Sequence, residues 1–377
     1  MNPAPDSPRS SYSAAGVDYE TLDQGKRDAL GEALTTSGYL QANGGRALDE
    51  SRGEPAFVFS VGGQSFAFVL ECLGTKSIIA RQCEDQLGSA AFANVAYDTV
   101  AAIVNDLCCV GALPLVVNAY FATGSSEWYR HPDRTAGLLR GWREACADAE
   151  ATWGGGESPS LPRLVAPSEI ELAGSAVGIV PPGSSPILGA GLAAGDEIVL
   201  VASNGLHANG ASLARRVAEV LDGGYGARLP SGRTFGEAVL DRSLLYAPLV
   251  RRLLQSHVPV HYMSHITGHG LLKLMRPRRE LAYRIERLPP VPEVLTLLVQ
   301  RSGLSPTAAY STFNMGCGFA IYCAPGTGES VVRLAEQVGL TAQVAGRVES
   351  GPRRVILDPV EVVYESADFD LSPRQPV

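Results

Sequence analysis

The chain has 377 residues and a mass of 39.7 kDa, with 45% hydrophobic and 19% charged residues. This is enough to bury a core and to form about two domains, which excludes a short disulfide scaffold and a disordered tail protein. With 31 Lys and Arg against 39 Asp and Glu, the formal charge of -8 argues against nucleic acid as a partner. Any phosphate must therefore be held locally, by glycine-rich backbone, a few basic side chains or a divalent metal.

The seven cysteines are odd in number and lack CxxC spacing. We interpret them as reduced core residues of a cytoplasmic protein. We expect no secretory signal, because no basic segment followed by an apolar run is present near the start. The longest apolar stretch, residues 100–122, is interrupted by Asn105, Asp106, Pro114 and Asn118, so we expect no membrane partner.

Hydrophobic periodicity predicts helices and strands mixed along the whole chain. Helical periods occur at 19–33, 97–111, 135–151, 211–221, 243–255, 291–302 and 329–338. Strand patterns occur at 56–61, 65–70, 115–121, 170–180, 197–202, 260–265, 281–285, 318–323 and 354–357. The sequence thus predicts an α/β protein of two mixed α and β domains. The densest cluster of helix and strand breakers, at 180–186, places the boundary between a domain of residues 1–180 and one of residues 181–377.

The first polar motif, Gly74-Thr75-Lys76, follows a predicted strand. Backbone amides at such a turn can face a phosphate, with Lys76 as the counter-charge. The alternative is a tight turn with a solvated lysine.

Asp98, Asn105 and Asp106 lie in an apolar helical segment. Spacings of seven and eight residues return to one helical face, so Asp98 and Asp106 could approach the same cation. Helix capping is the alternative for Asn105 and Asp106.

Two glycine-containing segments are candidate ligand loops. Gly154-Gly155-Gly156-Glu157 follows a predicted helix, and three glycines exceed what a helix C-cap requires. The segment from Ser203 to Gly210, which contains His207 and Asn209, joins a strand to a helix, where ligand contacts are common; an ordinary turn is the alternative.

Four histidines recur every fourth residue, at 257, 261, 265 and 269. Pro259 and Gly268 exclude one continuous helix, so we do not predict a zinc site. We predict instead a strand that ends in a glycine-rich turn, with His265 and Thr267 pointing the same way. The segment Thr312 to Gly318 offers a last loop with two glycines, which alone is weak evidence for a site.

Taken in order, these motifs resemble the AIR synthetase family, the phosphoribosylformylglycinamidine cyclo-ligases of purine biosynthesis. The resemblance covers nearly the whole chain. The matching positions are Ser11-Tyr12, Ala15-Gly16-Val17-Asp18, Gly74-Thr75-Lys76, Asp98, Val104-Asn105-Asp106, Tyr120-Phe121-Ala122-Thr123-Gly124, Gly155-Gly156-Glu157, Ala173-Gly174, Ser203, Gly205, His207, Asn209-Gly210, His265, Thr267-Gly268, Thr312-Phe313-Asn314, Gly316 and Gly318.

The resemblance implies an N-terminal domain that contributes to a dimeric β-barrel, with ATP and Mg²⁺ in a cleft beside the dimer interface. It implies that ATP phosphorylates a formyl amide oxygen, after which an internal nitrogen attacks and closes an imidazole ring. Positioning and charge neutralisation should dominate such chemistry.

The resemblance also implies site roles. The predicted catalytic residues are Lys76, His207 and His265. The predicted nucleotide-binding residues are Gly74, Thr75, Lys76, Asn105, Asp106, Gly155, Gly156 and Asn314. The predicted substrate-binding residues are Ser203, Asn209, Thr267 and Gly268, and the predicted metal ligands are Asp98, Glu157 and Glu71.

Departures from the family pattern fall on these loops. This chain has Glu71-Cys72-Leu73 where the family has Asp-Gly-Val, and Ala119 where the family has Asp. It also has Ser158-Pro159-Ser160 in place of Thr-Ala-Glu, His269 in place of Gly, and Asn43-Gly44-Gly45 in place of Gly-Gly-Phe-Gly. They leave two alternatives to the cyclo-ligase: a specialised-metabolism paralogue that activates a different amide, and a non-catalytic nucleotide-binding subunit.

Overall fold

The computed structural model describes residues 19–369, with backbone only for Tyr19 and Glu20; the family-like residues 11–18 lie outside this part. The helices are α1 (Tyr19–Thr35), α2 (Lys76–Gln82), α3 (Glu84–Leu87), α4 (Ser89–Cys108), α5 (Pro132–Asp148), α6 (Ala211–Val220), α7 (Phe235–Val239), α8 (Ala247–Gln255), α9 (Glu293–Ser302), α10 (Pro306–Tyr310) and α11 (Gly328–Gln337). The strands are β1 (Gly45–Leu48), β2 (Phe57–Val61), β3 (Gln64–Cys72), β4 (Leu113–Thr123), β5 (Thr152–Glu157), β6 (Ile170–Ile179), β7 (Glu197–Ala202), β8 (Val260–His265), β9 (Leu281–Ile285), β10 (Cys317–Cys323), β11 (Ala342–Ser350), β12 (Arg354–Leu357) and β13 (Val362–Glu365).

The first half folds around a six-stranded sheet in the order β1-β2-β3-β6-β4-β5. Its strands pair antiparallel except β4 with β5, which are parallel and joined through α5. Helix α4 packs on one face of the sheet and α5 packs on α4. Side chains of β3 alternate, so Ala67, Val69 and Glu71 face α4, while Phe68 and Leu70 face the opposite, uncovered side.

The start of one helix and the nature of one predicted loop in this half differ from the sequence prediction. Helix α4 begins at Ser89, eight residues before the predicted start at 97, because Ala91, Phe92 and Val95 extend its buried face. The predicted glycine loop at 154–157 is an edge strand, β5. Gly156 is required there by packing, since a Cβ at this position would lie 2.1 Å from the carbonyl oxygen of Ala119 on β4.

The second half folds around a seven-stranded sheet in the order β13-β12-β9-β11-β7-β10-β8. All seven residues of β10, which lies between β7 and β8, are buried. Strands β11 and β13 were not predicted, whereas the strands at 197–202, 260–265, 281–285 and 354–357 are confirmed. The helix predicted at 243–255 begins only at Ala247, because residues 243–246 contact the first half through their backbone.

The two sheets agree with a two-domain α/β architecture. Among residues 19–369, no strand pairs across position 180, although the boundary itself stays a prediction. No helix in the same residues has both the length and the apolar character that a membrane span requires.

Candidate functional site

A cavity of about 600 Å³ lies between the two halves. Its walls come from the end of β3 and α4 on one side, from β8 and the turn after it on the other, and from α1. The volume is typical of small-molecule sites. The structure brings seven predicted site residues to its walls: Glu71, Gly74, Asp106, Asn209, His265, Thr267 and Gly268.

His265 and Asp106 form a buried pair across the two halves. The Nδ1 atom of His265 lies 2.6 Å from Oδ1 of Asp106, and His265 is 3% exposed. Burial lowers the pKa of His265. This effect outweighs the rise in pKa that the hydrogen bond and charge of Asp106 cause. Burial opposes ionisation of Asp106, but His265, Lys273 and Arg276 outweigh it and lower the Asp106 pKa. The pair is therefore a carboxylate and a neutral imidazole whose Nδ1 donates, which leaves the lone pair on Nε2.

Glu71 lies at the end of β3 beside this pair. Burial raises the pKa of Glu71 to about 7, and the charge and hydrogen bond of Asp106 add to the rise. Of two carboxyl groups this close, one retains a proton near neutral pH. Glu71 can therefore share a proton with Asp106.

Lys273 and Arg276 line the cavity, and sequence reasoning missed both. Lys273 lies in the turn after β8, is 7% exposed, and donates a hydrogen bond to Thr267 Oγ1. Burial and repulsion by Arg276 lower the pKa of Lys273 to about 8. A lysine among the apolar residues Leu271, Leu272 and Leu274 was the available signal.

Lys76 and Asp98 do not line this cavity, and their catalytic and metal-binding roles stay predictions. Both side chains are fully buried, and Lys76 Nζ lies 2.5 Å from Asp98 Oδ2. Lys76 also donates to the carbonyl oxygen of His207 at 2.7 Å, while Asp98 accepts from the amide of Ser243 at 2.6 Å. The pair thus anchors one half to the other, and neither charge is free for a phosphate or a metal.

Other predicted ligand residues are also engaged in packing contacts. Asn105 donates to Leu244 O and accepts from the amide of Tyr246 at 2.9 and 2.8 Å. Asn314 accepts from Ser203 Oγ at 2.7 Å and donates to Gly205 O at 2.9 Å. Further, Thr75 Oγ1 lies 3.0 Å from Ser212 Oγ. In this structure Thr75, Asn105, Ser203 and Asn314 hold loops and domains together, and their roles as ligand-binding residues stay predictions.

His207 is buried outside the cavity lining, and its catalytic role stays a prediction. Its Nε2 lies 2.9 Å from Asn204 Oδ1, and its Nδ1 has no hydrogen-bond partner within residues 19–369. Burial lowers the pKa of His207 to about 3. The residue adopts a left-handed backbone with φ of 58°, which belongs to the turn that gives its carbonyl oxygen to Lys76.

The buried His207 predicts sensitivity to acid. Below pH 6.5 the unfolded chain protonates this histidine and the folded chain does not, so stability falls as pH falls, by ~1.4 kcal/mol per pH unit. His207→Asn, which tolerates the left-handed backbone, should reduce the loss of unfolding free energy between pH 7 and pH 5 by ~2 kcal/mol relative to wild type. Urea titrations at the two pH values measure this; equal losses in both proteins would contradict it.

The three predicted metal ligands, Asp98, Glu157 and Glu71, do not line one common cavity in this structure. Asp98 is paired with Lys76, and Glu157 is exposed at the end of edge strand β5, where it accepts from the amide of Ser158. Only Glu71 lines the cavity. Within residues 19–369, no three His, Cys, Asp or Glu side chains are grouped to hold a metal ion. The magnesium site at these three residues therefore stays a prediction, and Gly155 and Gly156 do not line the cavity.

Comparison with known proteins gives consistent matches to both halves. Residues 53–180 match the N-terminal domain of AIR synthase related protein, and residues 193–358 match its C-terminal domain. The phosphoribosylformylglycinamidine cyclo-ligase of Anaeromyxobacter sp. is 36% identical over 79% of this chain and 88% of its own length. That of Rippkaea orientalis is 30% identical over 92% and 98%.

Solved structures share the fold at lower identity. AaThiL complexed with AMPPCP and TMP matches with a TM-score of 0.55 and 17% identity, over 83% of this chain and 90% of that chain. The hydrogenase maturation protein HypE in complex with ATP matches with a TM-score of 0.57 and 17% identity, over 79% and 83%.

Proposed function

Because this chain belongs to the AIR synthase related family, we propose that it closes an imidazole ring with ATP, converting formylglycinamidine ribonucleotide or a close analogue to the aminoimidazole ribonucleotide in purine biosynthesis. One observation carries the proposal: the interdomain cavity places the His265 and Asp106 pair beside two cationic side chains, Lys273 and Arg276. A base and phosphate-neutralising charges are what amide activation and ring closure require.

The proposed chemistry has two steps. The terminal phosphoryl group of ATP passes to the amide oxygen, and ADP leaves. An internal nitrogen then attacks the activated carbon, phosphate departs, and the nitrogen loses a proton. His265 accepts that proton at Nε2, Asp106 orients the ring through Nδ1, and Lys273 and Arg276 neutralise phosphate oxygens.

Nucleotide binding is proposed to use this cavity. Gly74 lines it with a left-handed backbone, φ of 68°, and with open space beside its Cα, so the chain can approach a ligand closely. The ATP and AMPPCP complexes of structural relatives support a nucleotide. Since the chain groups no metal ligands here within residues 19–369, any Mg²⁺ is proposed to enter with the nucleotide phosphates.

Changes at the cavity wall favour a second candidate, a paralogue that activates a different amide. His269 lines the cavity with φ of 69°, and its Nε2 lies 3.0 Å from Oδ2 of Asp23 on α1. This contact joins the turn after β8 to α1 and gives the wall a polar bridge that a glycine cannot make.

A turnover assay separates these functions. Purified protein receives ATP, Mg²⁺ and formylglycinamidine ribonucleotide, and ADP and aminoimidazole product are followed. We expect both products in equal amounts. ADP that appears only with another amide would favour the paralogue, and no nucleotide binding by calorimetry would reject both enzymes in favour of a non-catalytic subunit.

The partner and location are part of the proposal. We propose a homodimer, with no nucleic acid or membrane partner, in the cytoplasm, where the seven free cysteines would stay reduced.

The outer face of the first sheet exposes the apolar residues Val61, Phe68, Leu70, Leu115 and Val116; we call it the open sheet face. Contiguous apolar surface of this kind marks an interface, and it is consistent with two sheets that close a barrel.

Leu70→Asp should disrupt the dimer. Leu70 is 68% exposed on the open sheet face, and burying its aspartate replacement at an interface would desolvate a charge. Light scattering after gel filtration should show a monomer. The control is Val220→Asp at the end of α6, 78% exposed and away from this face, which should stay dimeric. A dimeric Leu70→Asp variant would contradict the assignment.

A further inference from the structure

The carboxylates of the cavity lie beside cations supplied by the chain. Glu71 and Asp106 line it together with Lys273, and both carboxyl groups interact with the Lys273 ammonium. Arg276 adds a second positive charge, and its guanidinium donates to Gly53 O at 3.0 Å. Both carboxyl groups thus lie beside a cation that the chain itself supplies, and Glu71 can keep a proton near neutral pH.

Lys273 is held in place from both ends. Its backbone carbonyl accepts a hydrogen bond from Ser264 Oγ at 3.2 Å, and its ammonium donates to Thr267 Oγ1. Both partners belong to β8 or to the turn after it, so the ammonium is fixed relative to His265. An ammonium offers three donors and no acceptor, so it can hold an anion but repels a metal ion.

We propose that Lys273 is the resident cation of this cavity, taking the place that a protein-bound divalent metal would have beside Glu71 and Asp106 and offering its ammonium to a phosphate group of the ligand. The inference deepens the proposed function, since it concerns the same cavity. It adds one expectation to that function: without nucleotide, the protein binds no divalent metal beside Glu71 and Asp106.

The test is binding of Mn²⁺ alone, followed by electron paramagnetic resonance of the free ion, without nucleotide or substrate. We expect wild type and Glu71→Gln to show the same weak background binding. Lys273→Gln removes the repelling charge and leaves both carboxyl groups, so it should bind one Mn²⁺ at least ~10-fold more tightly than wild type. The double variant Lys273→Gln with Glu71→Gln should lose that gain.

Two results would overturn the inference. One is a stoichiometric Mn²⁺ site in wild type that Glu71→Gln removes; this measurement needs no Lys273 variant. The other is a folded Lys273→Gln or Lys273→Met protein, checked by circular dichroism, without gained Mn²⁺ affinity. Because no turnover is measured, failure here leaves the ring-closure assay unaffected, and failure of that assay leaves the metal result unaffected.

Discussion

Lys76→Ala is expected to lower the free energy of unfolding by about 3–5 kcal/mol, because it leaves a buried carboxylate without its counter-charge. Asp98 is fully buried, and the remaining donor to it is the amide of Ser243. The lysine also links the first half to the carbonyl oxygen of His207 in the second. Guanidinium unfolding followed by circular dichroism measures the loss.

A matched lysine serves as the control. The Lys26 side chain is 60% exposed and lies 3.4 Å from Asp23 on α1, so Lys26→Ala should cost ~1 kcal/mol or less. The double variant Lys76→Met with Asp98→Leu removes both charges and should recover part of the stability lost in Lys76→Ala. A Lys76→Ala protein as stable as Lys26→Ala would show that the buried pair does not anchor the two halves.

His265→Gln is expected to reduce turnover by ~10²–10⁴-fold, the usual contribution of a general base. Glutamine can still donate a hydrogen bond to Asp106 but cannot accept a proton near neutral pH. Steady-state assays of ADP release should therefore show a lower kcat with little change in KM for ATP.

The control for His265 lies on the same strand. His261 is the fourth residue before it on β8, is bonded to Asp196, and does not line the cavity. His261→Gln should retain wild-type kcat within a few fold. Asp106→Asn should lower kcat less than His265→Gln does, because it alters the orientation of the imidazole and keeps the base. Equal kcat in His265→Gln and wild type would reject the general base.

Much of the site could be anticipated from motifs that follow strands. Gly74 comes after β3, and Thr267 and Gly268 come after β8, so their positions at strand ends are readable from hydrophobic pattern and glycine content. The helical position of Asp106 was readable from periodicity. By contrast, the glycines at 154–156 have the composition of a ligand loop, yet they lie in strand β5. Gly156 there packs closely against Ala119 of β4, which only the paired strand reveals.

The sequence by itself determined the α/β class, most strands and helices of both halves, and the family, because periodicity and glycine-rich motifs are local properties of the chain. Only the tertiary structure decided which charges meet. Lys76 and Asp98 are 22 residues apart and were read as ligands, but they neutralise each other in the interdomain core. Asp106 and His265 are 159 residues apart, and Lys273 joins them at the cavity. Burial makes an unpaired charge costly, so the partner available in three dimensions fixes each ionisable group's role.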